Sequence, residues 1–195
     1  MNFKQRIVKL IYPWLKKSLQ SESNVKVLLN KDKIAPLQQF HQLQATLNTG
    51  KPLSFDTFKG KKVLLVNTAS SCGFTPQFSQ LQALQDQFPD QLVVLGIPAN
   101  DFKEQEQGND REIEQFCQIN YGVKFQITTK TVVVKGTTQH PVHQWLSNPA
   151  LNGWNDQAPT WNFCKYLVDE KGVLLGFFAS AVEPMDERLV GLVKG

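Results

Sequence analysis

Cysteine, histidine and long apolar runs are all scarce in this chain. Three Cys in 195 residues are too few to staple a secreted scaffold, so they read as reduced thiols. The three His, at positions 41, 140 and 143, show no Cys/His ligand spacing and argue against a metal site. No Gly-rich phosphate loop occurs either. Nowhere do 18 apolar residues follow one another, so no segment is long and apolar enough to cross a bilayer as a helix. What is present is apolar and aromatic: 41% hydrophobic residues, with thirteen Phe and four Trp. That content argues against disorder and for one domain with a sizeable core and an appendage.

Acid is missing altogether from residues 1–20, which hold Lys4, Arg6, Lys9, Lys16 and Lys17. The other 175 residues carry 16 cations against 17 acids. The net charge of +4 is therefore a property of the N-terminal segment, and a nucleic-acid partner loses its support. Within that segment Phe3, Ile7, Leu10, Ile11, Trp14, Leu15 and Leu19 recur at helical steps opposite the cations, with Pro13 as a kink. The pattern predicts an amphipathic helix. Three readings stay open: a helix lying on an anionic membrane, an organellar presequence, or a helix docked on its own domain. The first is the expectation adopted, with a cytoplasmic body peripheral to a membrane; a presequence would instead make it organellar. A secretory signal is disfavoured because Arg6 and Lys9 interrupt the stretch where an uncharged core should lie. Residues 1–39 are read as this helix and a polar linker, and 40–195 as the globular domain.

In the domain, 62–67 (KVLLVN) and 92–97 (LVVLGI) are continuous apolar runs suited to strands buried on both faces. Between them, Phe78, Leu81, Leu84 and Phe88 follow Thr75-Pro76 at helical spacing, giving a β-α-β unit. The spacing predicts a first hairpin from 40–43 and 52–55, a helix over 111–121, a third strand over 131–134 and a short helix over 142–146. A hairpin from 166–168 and 173–177 and a closing helix over 185–193 complete it. Strands alternating with helices before a terminal hairpin and helix predict an α/β fold, a mixed central sheet flanked by helices, compatible with the thioredoxin-like fold.

Cys72 lies just after the first buried run and just before the helix. There, free backbone N–H groups and the helix dipole favour a thiolate, the nucleophilic form. Gly73 permits close backbone approach. On the residues alone, Cys72 is either a nucleophile or a small apolar filler.

The segment Asn-Thr-Ala-Ser-Ser-Cys-Gly-Phe-Thr at 67–75 is similar to the nucleophile motif of the glutathione peroxidase family. Two further blocks follow in order: Ile-Pro-Ala-Asn-Asp-Phe-Lys-Glu-Gln-Glu at 97–106 and Trp-Asn-Phe at 161–163. The resemblance runs from about Phe40 to the C-terminus. It implies a thioredoxin-like fold and a tetrad of Cys72, Gln105, Trp161 and Asn162. In such a tetrad the two amides and the indole N–H are neutral donors for the thiolate and the developing oxyanion. Ala99 stands where the family often has Cys, so that thiol has no role here. Asp101, Lys103 and Gln107 stand where Gln, Gly and Pro are usual.

A thiolate that attacks an O–O bond becomes a sulfenic acid, which must be reduced. By periodicity Cys117 belongs on the apolar face of its helix with Ile113 and Phe116. Its surroundings resemble the Phe-Cys-Gln-Leu-Asn-Tyr-Gly-Val segment that carries the resolving Cys of the thioredoxin-using branch. That resemblance implies a Cys72–Cys117 disulfide and a helix that must shift or unwind to form it. Cys164 reads as a structural strand residue. The implied activity is a thiol peroxidase acting on hydrogen peroxide and on organic or lipid hydroperoxides, with no cofactor. Thioredoxin is favoured over glutathione as reductant. Set against the family, the connection from 131 to 161 lacks the longer insertion that serves tetrameric members as an oligomerisation loop, so the resemblance implies a monomer or small homo-oligomer. Two other readings are a peroxide-sensing thiol relay to a partner protein and a membrane-associated interaction module.

Overall fold

A computed structural model describes residues 26–195; the amphipathic helix anticipated over residues 1–20 lies outside them. Strand β4 (Lys62–Thr68) is buried along its whole length. It pairs in parallel with β5 (Leu92–Pro98), with Lys62 opposite Leu92 and Thr68 opposite Pro98. Between them runs helix α1 (Gln77–Gln87). Because side chains alternate along a strand, Val63 and Leu65 enter one core while Leu64 and Val66 enter the other. The continuous apolar run thus fills two layers at once.

Helix α2 (Asp110–Tyr121) follows, then the two-residue β6 (Gln126–Ile127), parallel to β5. Two short helices, α3 (Pro141–Leu146) and α4 (Pro149–Asn152), precede β7 (Lys165–Val168) and β8 (Leu174–Phe178), an antiparallel hairpin. Helix α5 (Glu187–Lys194) closes the chain. With β1 (Val27–Leu29) at one edge, the sheet order is β1-β8-β7-β4-β5-β6. A β-α-β half joined to a β-β-α half around β4 and β7 is the thioredoxin-like arrangement. A separate two-stranded arm pairs β2 (Gln44–Thr46) with β3 (Pro52–Ser54).

Helix α4 has no counterpart in the sequence expectation, and three further elements differ from it, each for a reason of partnering. The third strand forms at Gln126–Ile127 rather than 131–134, because that is where the chain meets the edge of β5, opposite Leu95 and Gly96. The β-branched residues 131–134 find no strand: Thr131 N–H bonds Pro98 O, and Val133 N–H bonds the Asp101 carboxylate. The first hairpin starts at Gln44, since Phe40–Gln42 forms a 3-10 turn that buries Phe40 against Phe55 and Trp145. Residues 27–29, within the stretch read as linker, form the β1 edge strand on β8.

The glutamines of α1 stitch the β-α-β unit. Gln85 accepts from Val94 N–H and donates to Leu92 O, so one side chain extends the strand ladder onto the helix. Gln77 donates to Ser180 O, tying the start of α1 to the segment after β8.

Candidate active site

The loop between β4 and α1 presents Cys72 with its sulfur turned inward. Thr75 shapes this loop: its Oγ1 accepts from Cys72 N–H at 3.0 Å and donates to Ala69 O at 2.9 Å. Phe74 N–H then points at Cys72 Sγ, 3.4 Å away, the N-terminal donor that a thiol before a helix is expected to find. The Trp161 ring packs on the cluster that holds Cys72, and its indole and the Asn162 amide act on the thiol as donors that favour its charged form. Asn162 in turn donates to Gln105 Oε1 at 2.9 Å. All four residues of the anticipated tetrad are therefore brought together, from three separate segments.

Cys72 is only 1% exposed. Burial pushes its thiol above the ordinary value, against the Phe74 N–H, Trp161, Asn162 and the Gly73 N–H, which pull the other way. The start of α1 thus supplies the donors expected there, while the closure of the core around the sulfur opposes them. At a buried sulfur, such donors are worth more to a charge that develops there than they would be in water.

The loop carrying Gln105 departs from the family pattern at three positions, yet it delivers the side chain. Ser71 N–H bonds Gln105 O at 3.0 Å, and Ser70 Oγ donates to Glu106 Oε2 at 3.1 Å. Lys130 spans the same loop from the far side, donating to Glu106 O at 3.1 Å and Gly108 O at 2.7 Å. Asp101 anchors the loop to Val133 N–H. Lys103 and Glu104 both adopt left-handed backbone, φ 53° and 51°, so Lys103 occupies a conformation better suited to the usual Gly. Its ammonium lies 5.6 Å from the Trp161 ring centroid, and Phe102 packs on the same ring.

Glu106 is 1% exposed, and burial pushes its carboxyl up to about 7. It lines a cleft of about 380 Å³ with Ser70, Ser71, Gln105, Glu112 and Phe116. This cleft runs between the Gln105 loop and the first turns of α2.

Cys117 faces inward from α2 with Ile113, in the same core as Cys72. Burial, with the Glu106 and Glu114 carboxylates adding to it, pushes this thiol far up. All three cysteines are free and buried. The helix bearing Cys117 is held at both ends, by a reciprocal Asn109–Glu112 capping box and by Gly122 in left-handed backbone. Cys164 lies on the other side of the sheet, its Sγ 3.5 Å from Ser180 Oγ. Among the described residues no group of three His, Cys, Asp or Glu side chains gathers to hold a metal ion.

Sequence reasoning passed over two polar residues in apolar strands, Asn67 of β4 and Lys165 of β7. Both are fully buried. An amide or a cation inside an otherwise apolar run was the available signal, since such groups stay buried only when fully partnered. Lys165 Nζ meets three carbonyls, those of Phe163, Ser180 and Val182. Burial pulls its ammonium down towards about 7; the carbonyl cage opposes this, because only the charged form has a proton for each of the three.

Comparison with known proteins agrees with this geometry. Residues 40–147 match the family model described as glutathione peroxidase. The glutathione peroxidase-like peroxiredoxin HYR1 of Saccharomyces cerevisiae is 40% identical over 161 residues, 81% of this chain and 98% of its own. The hydroperoxy fatty acid reductase gpx1 of a Synechocystis species is 43% identical over 143 residues, covering 69% and 83%. Among solved structures, apo Trgpx aligns with a TM-score of 0.61 and 30% identity over 82% of this chain and 97% of its own. With the motifs, the assembled site and these likenesses in agreement, the chain belongs to the glutathione peroxidase family.

Proposed function

We propose that Cys72 is the peroxidatic nucleophile of this thiol peroxidase, with Trp161, Asn162 and Gln105 as its activating donors and Cys117 as the resolving thiol. The observation that carries the reading is the meeting at one buried sulfur of Phe74 N–H, 3.4 Å away, with a turn whose Trp161 packs on the same cluster and whose Asn162 bonds Gln105. In the first step Cys72 sulfur bonds one peroxide oxygen and the O–O bond breaks. Sulfur loses two electrons, and the thiol proton ends on the departing oxygen, giving an alcohol or water and Cys72 sulfenic acid. The neutral donors stabilise the charge that moves from sulfur to oxygen without introducing a competing ion pair.

In the second step Cys117 sulfur displaces the sulfenic oxygen as water and closes a disulfide. A dithiol protein of the thioredoxin type then reduces it, taking the oxidation onto its own cysteine pair. The name of the Synechocystis relative, a hydroperoxy fatty acid reductase, supports organic and lipid hydroperoxides as substrates beside hydrogen peroxide. The test is a thioredoxin-coupled assay on the wild type, Cys72→Ser and Cys117→Ser. The reading expects no turnover from Cys72→Ser. It expects a single stoichiometric oxidation, without continued thioredoxin-dependent turnover, from Cys117→Ser. Full activity of Cys72→Ser overturns the nucleophile assignment, and sustained turnover of Cys117→Ser overturns the resolving one.

The confinement of excess cations to residues 1–20 supports a peripheral contact with anionic membrane. Vesicle sedimentation of the full chain and of a chain lacking residues 1–20 tests this, and equal binding by both overturns it.

A further inference from the structure

Asn67 spends every polar group it has on one turn. Its backbone N–H donates to Cys164 O at 3.3 Å, and its backbone O accepts from Phe163 N–H at 2.6 Å. Its side-chain Nδ2 donates to Trp161 O at 2.9 Å, while Oδ1 accepts from Cys164 N–H at 3.0 Å. These four bonds all land on residues 161–164, where Trp161 and Asn162 reside. Phe163 holds left-handed backbone, φ 65°, a conformation that a bulky residue keeps only when its surroundings impose it. Lys165 adds a further bond to the backbone of this turn, through Phe163 O at 2.8 Å.

Asn67 is also on β4, the strand that runs directly into the Cys72 loop. One residue therefore joins the rigid element behind the nucleophile to the turn that carries its donors. We infer that Asn67 is the positioning residue that sets Trp161 and Asn162 against Cys72 by clamping the 161–164 turn to β4. The chemistry requires an amide here. The side chain must donate to a carbonyl and accept from an N–H at once, which Asp cannot do when ionised and Ala cannot do at all. Removing it leaves Trp161 O and Cys164 N–H buried without these partners and frees the left-handed turn to relax.

This inference rests on Trp161 and Asn162 being the donors of Cys72, so the experiment separates the two. Asn67→Ala and Asn67→Asp are compared with wild type, with Asn162→Ala, and with Leu84→Ala, a core truncation in α1 away from the turn. Two quantities are read: the second-order rate of Cys72 oxidation by hydrogen peroxide, and the pH profile of Cys72 alkylation by iodoacetamide. Both Asn67 variants are expected to oxidise about 10- to 100-fold more slowly, within the range of a lost or misplaced donor. Their alkylation profiles are expected to move to higher pH. Leu84→Ala, although less stable, is expected to keep both within about twofold, because cavity creation there acts on stability alone.

Asn67 variants with wild-type rate and profile overturn the inference while Asn162→Ala remains slow. A Leu84→Ala protein slowed as much as they are also overturns it. An unchanged rate in Asn162→Ala instead removes the donor assignment beneath it. Should Asn67→Ala fail to fold, Asn67→Ser, which keeps a single hydroxyl for the turn, takes its place with the same two readouts and the same outcomes.

Discussion

Asn162 Nδ2 and Gln105 Oε1 lie 2.9 Å apart, and this bond joins two loops distant in sequence into one donor array. It fixes the orientation of the Gln105 amide: its oxygen is engaged by Asn162, which leaves its NH2 end free of that bond and, in the proposed mechanism, available to a peroxide. Since the two side chains act as a unit, their truncations should not add. Asn162→Ala and Gln105→Ala are each expected to slow Cys72 oxidation by about 10- to 1000-fold. The double variant should be little slower than the worse single one. Stopped-flow oxidation rates arranged as a double-mutant cycle check this, and a product of the two single effects would show independent action.

Lys103 offers a test of backbone strain beside the site. Its left-handed φ of 53° disfavours a side chain by roughly 1–2 kcal/mol, while a cation over an exposed aromatic face returns about 0.5–1 kcal/mol. Lys103→Gly relieves the first and loses the second, so its stability should stay within about 1 kcal/mol of wild type. Lys103→Ala keeps the strain and loses the ring contact, and should fall below Lys103→Gly by about 1 kcal/mol. Chemical denaturation of the three proteins measures both differences.

The buried carboxyl of Glu106 predicts a pH dependence with a definite sign. Its folded value, about 7 against an ordinary 4.5, means that the folded protein favours the protonated acid. Below about 4.5 both folded and unfolded chains hold the proton, and nothing is lost. As pH rises towards 7 the unfolded chain ionises first, so stability falls, by on the order of 3 kcal/mol once the window is crossed. Glu106→Gln has no proton to lose and can still pair with Ser70. It should therefore gain stability relative to wild type between pH 4.5 and pH 8. Thermal denaturation of both proteins at the two pH values decides it; an equal difference at both would remove Glu106 as the source.

How much of this was legible beforehand depended on whether a residue's partner was local. The runs at 62–67 and 92–97 could be read as central strands because burial on both faces demands unbroken apolar sequence. Cys72 could be placed at a helix start for the same local reasons. Gln105, Trp161 and Asn162 are unremarkable one by one, and only their resemblance to a family motif gathered them before the fold did. The strand at Gln126–Ile127 was missed because 131–134 has the stronger β-branched run, and tertiary pairing with the edge of β5 overrode that preference. Lys165 was passed over because its partners are backbone carbonyls, two of them 15 and 17 residues along the chain, which leave no mark on side-chain patterning.

That carbonyl cage makes a prediction for Lys165→Met. Replacing a buried ion pair with apolar residues is often harmless when both partners go. Here the partners are the main-chain oxygens of Phe163, Ser180 and Val182, which no substitution can remove. Buried oxygens left without a donor cost roughly 1–3 kcal/mol each, although Ser180 O keeps its bond from Gln77. Lys165→Met is therefore expected to lose about 3 kcal/mol or more, read as a lowered denaturation midpoint with unchanged slope. A loss below about 1 kcal/mol would mean that the cage rearranges freely.

Cys72 and Cys117 are 1% and 0% exposed, so a protein reductant cannot touch either sulfur while α2 keeps its place. Local opening of α2 must then precede reduction, and if it also precedes disulfide closure it should limit that rate. The helix is capped by Asn109, which accepts from Glu112 N–H at 3.0 Å while Glu112 returns a bond to Asn109 N–H. Loss of such a cap costs about 1 kcal/mol, enough to raise the open population roughly fivefold. Asn109→Ala should consequently leave Cys72 oxidation by peroxide unchanged and speed the following disulfide formation by up to about fivefold. Rapid-quench alkylation followed by mass spectrometry resolves the two steps. If the disulfide forms at the wild-type rate in Asn109→Ala, opening from the N-terminal turn is not what limits resolution, and the motion must start at the Gly122 end of the helix or in the Cys72 loop.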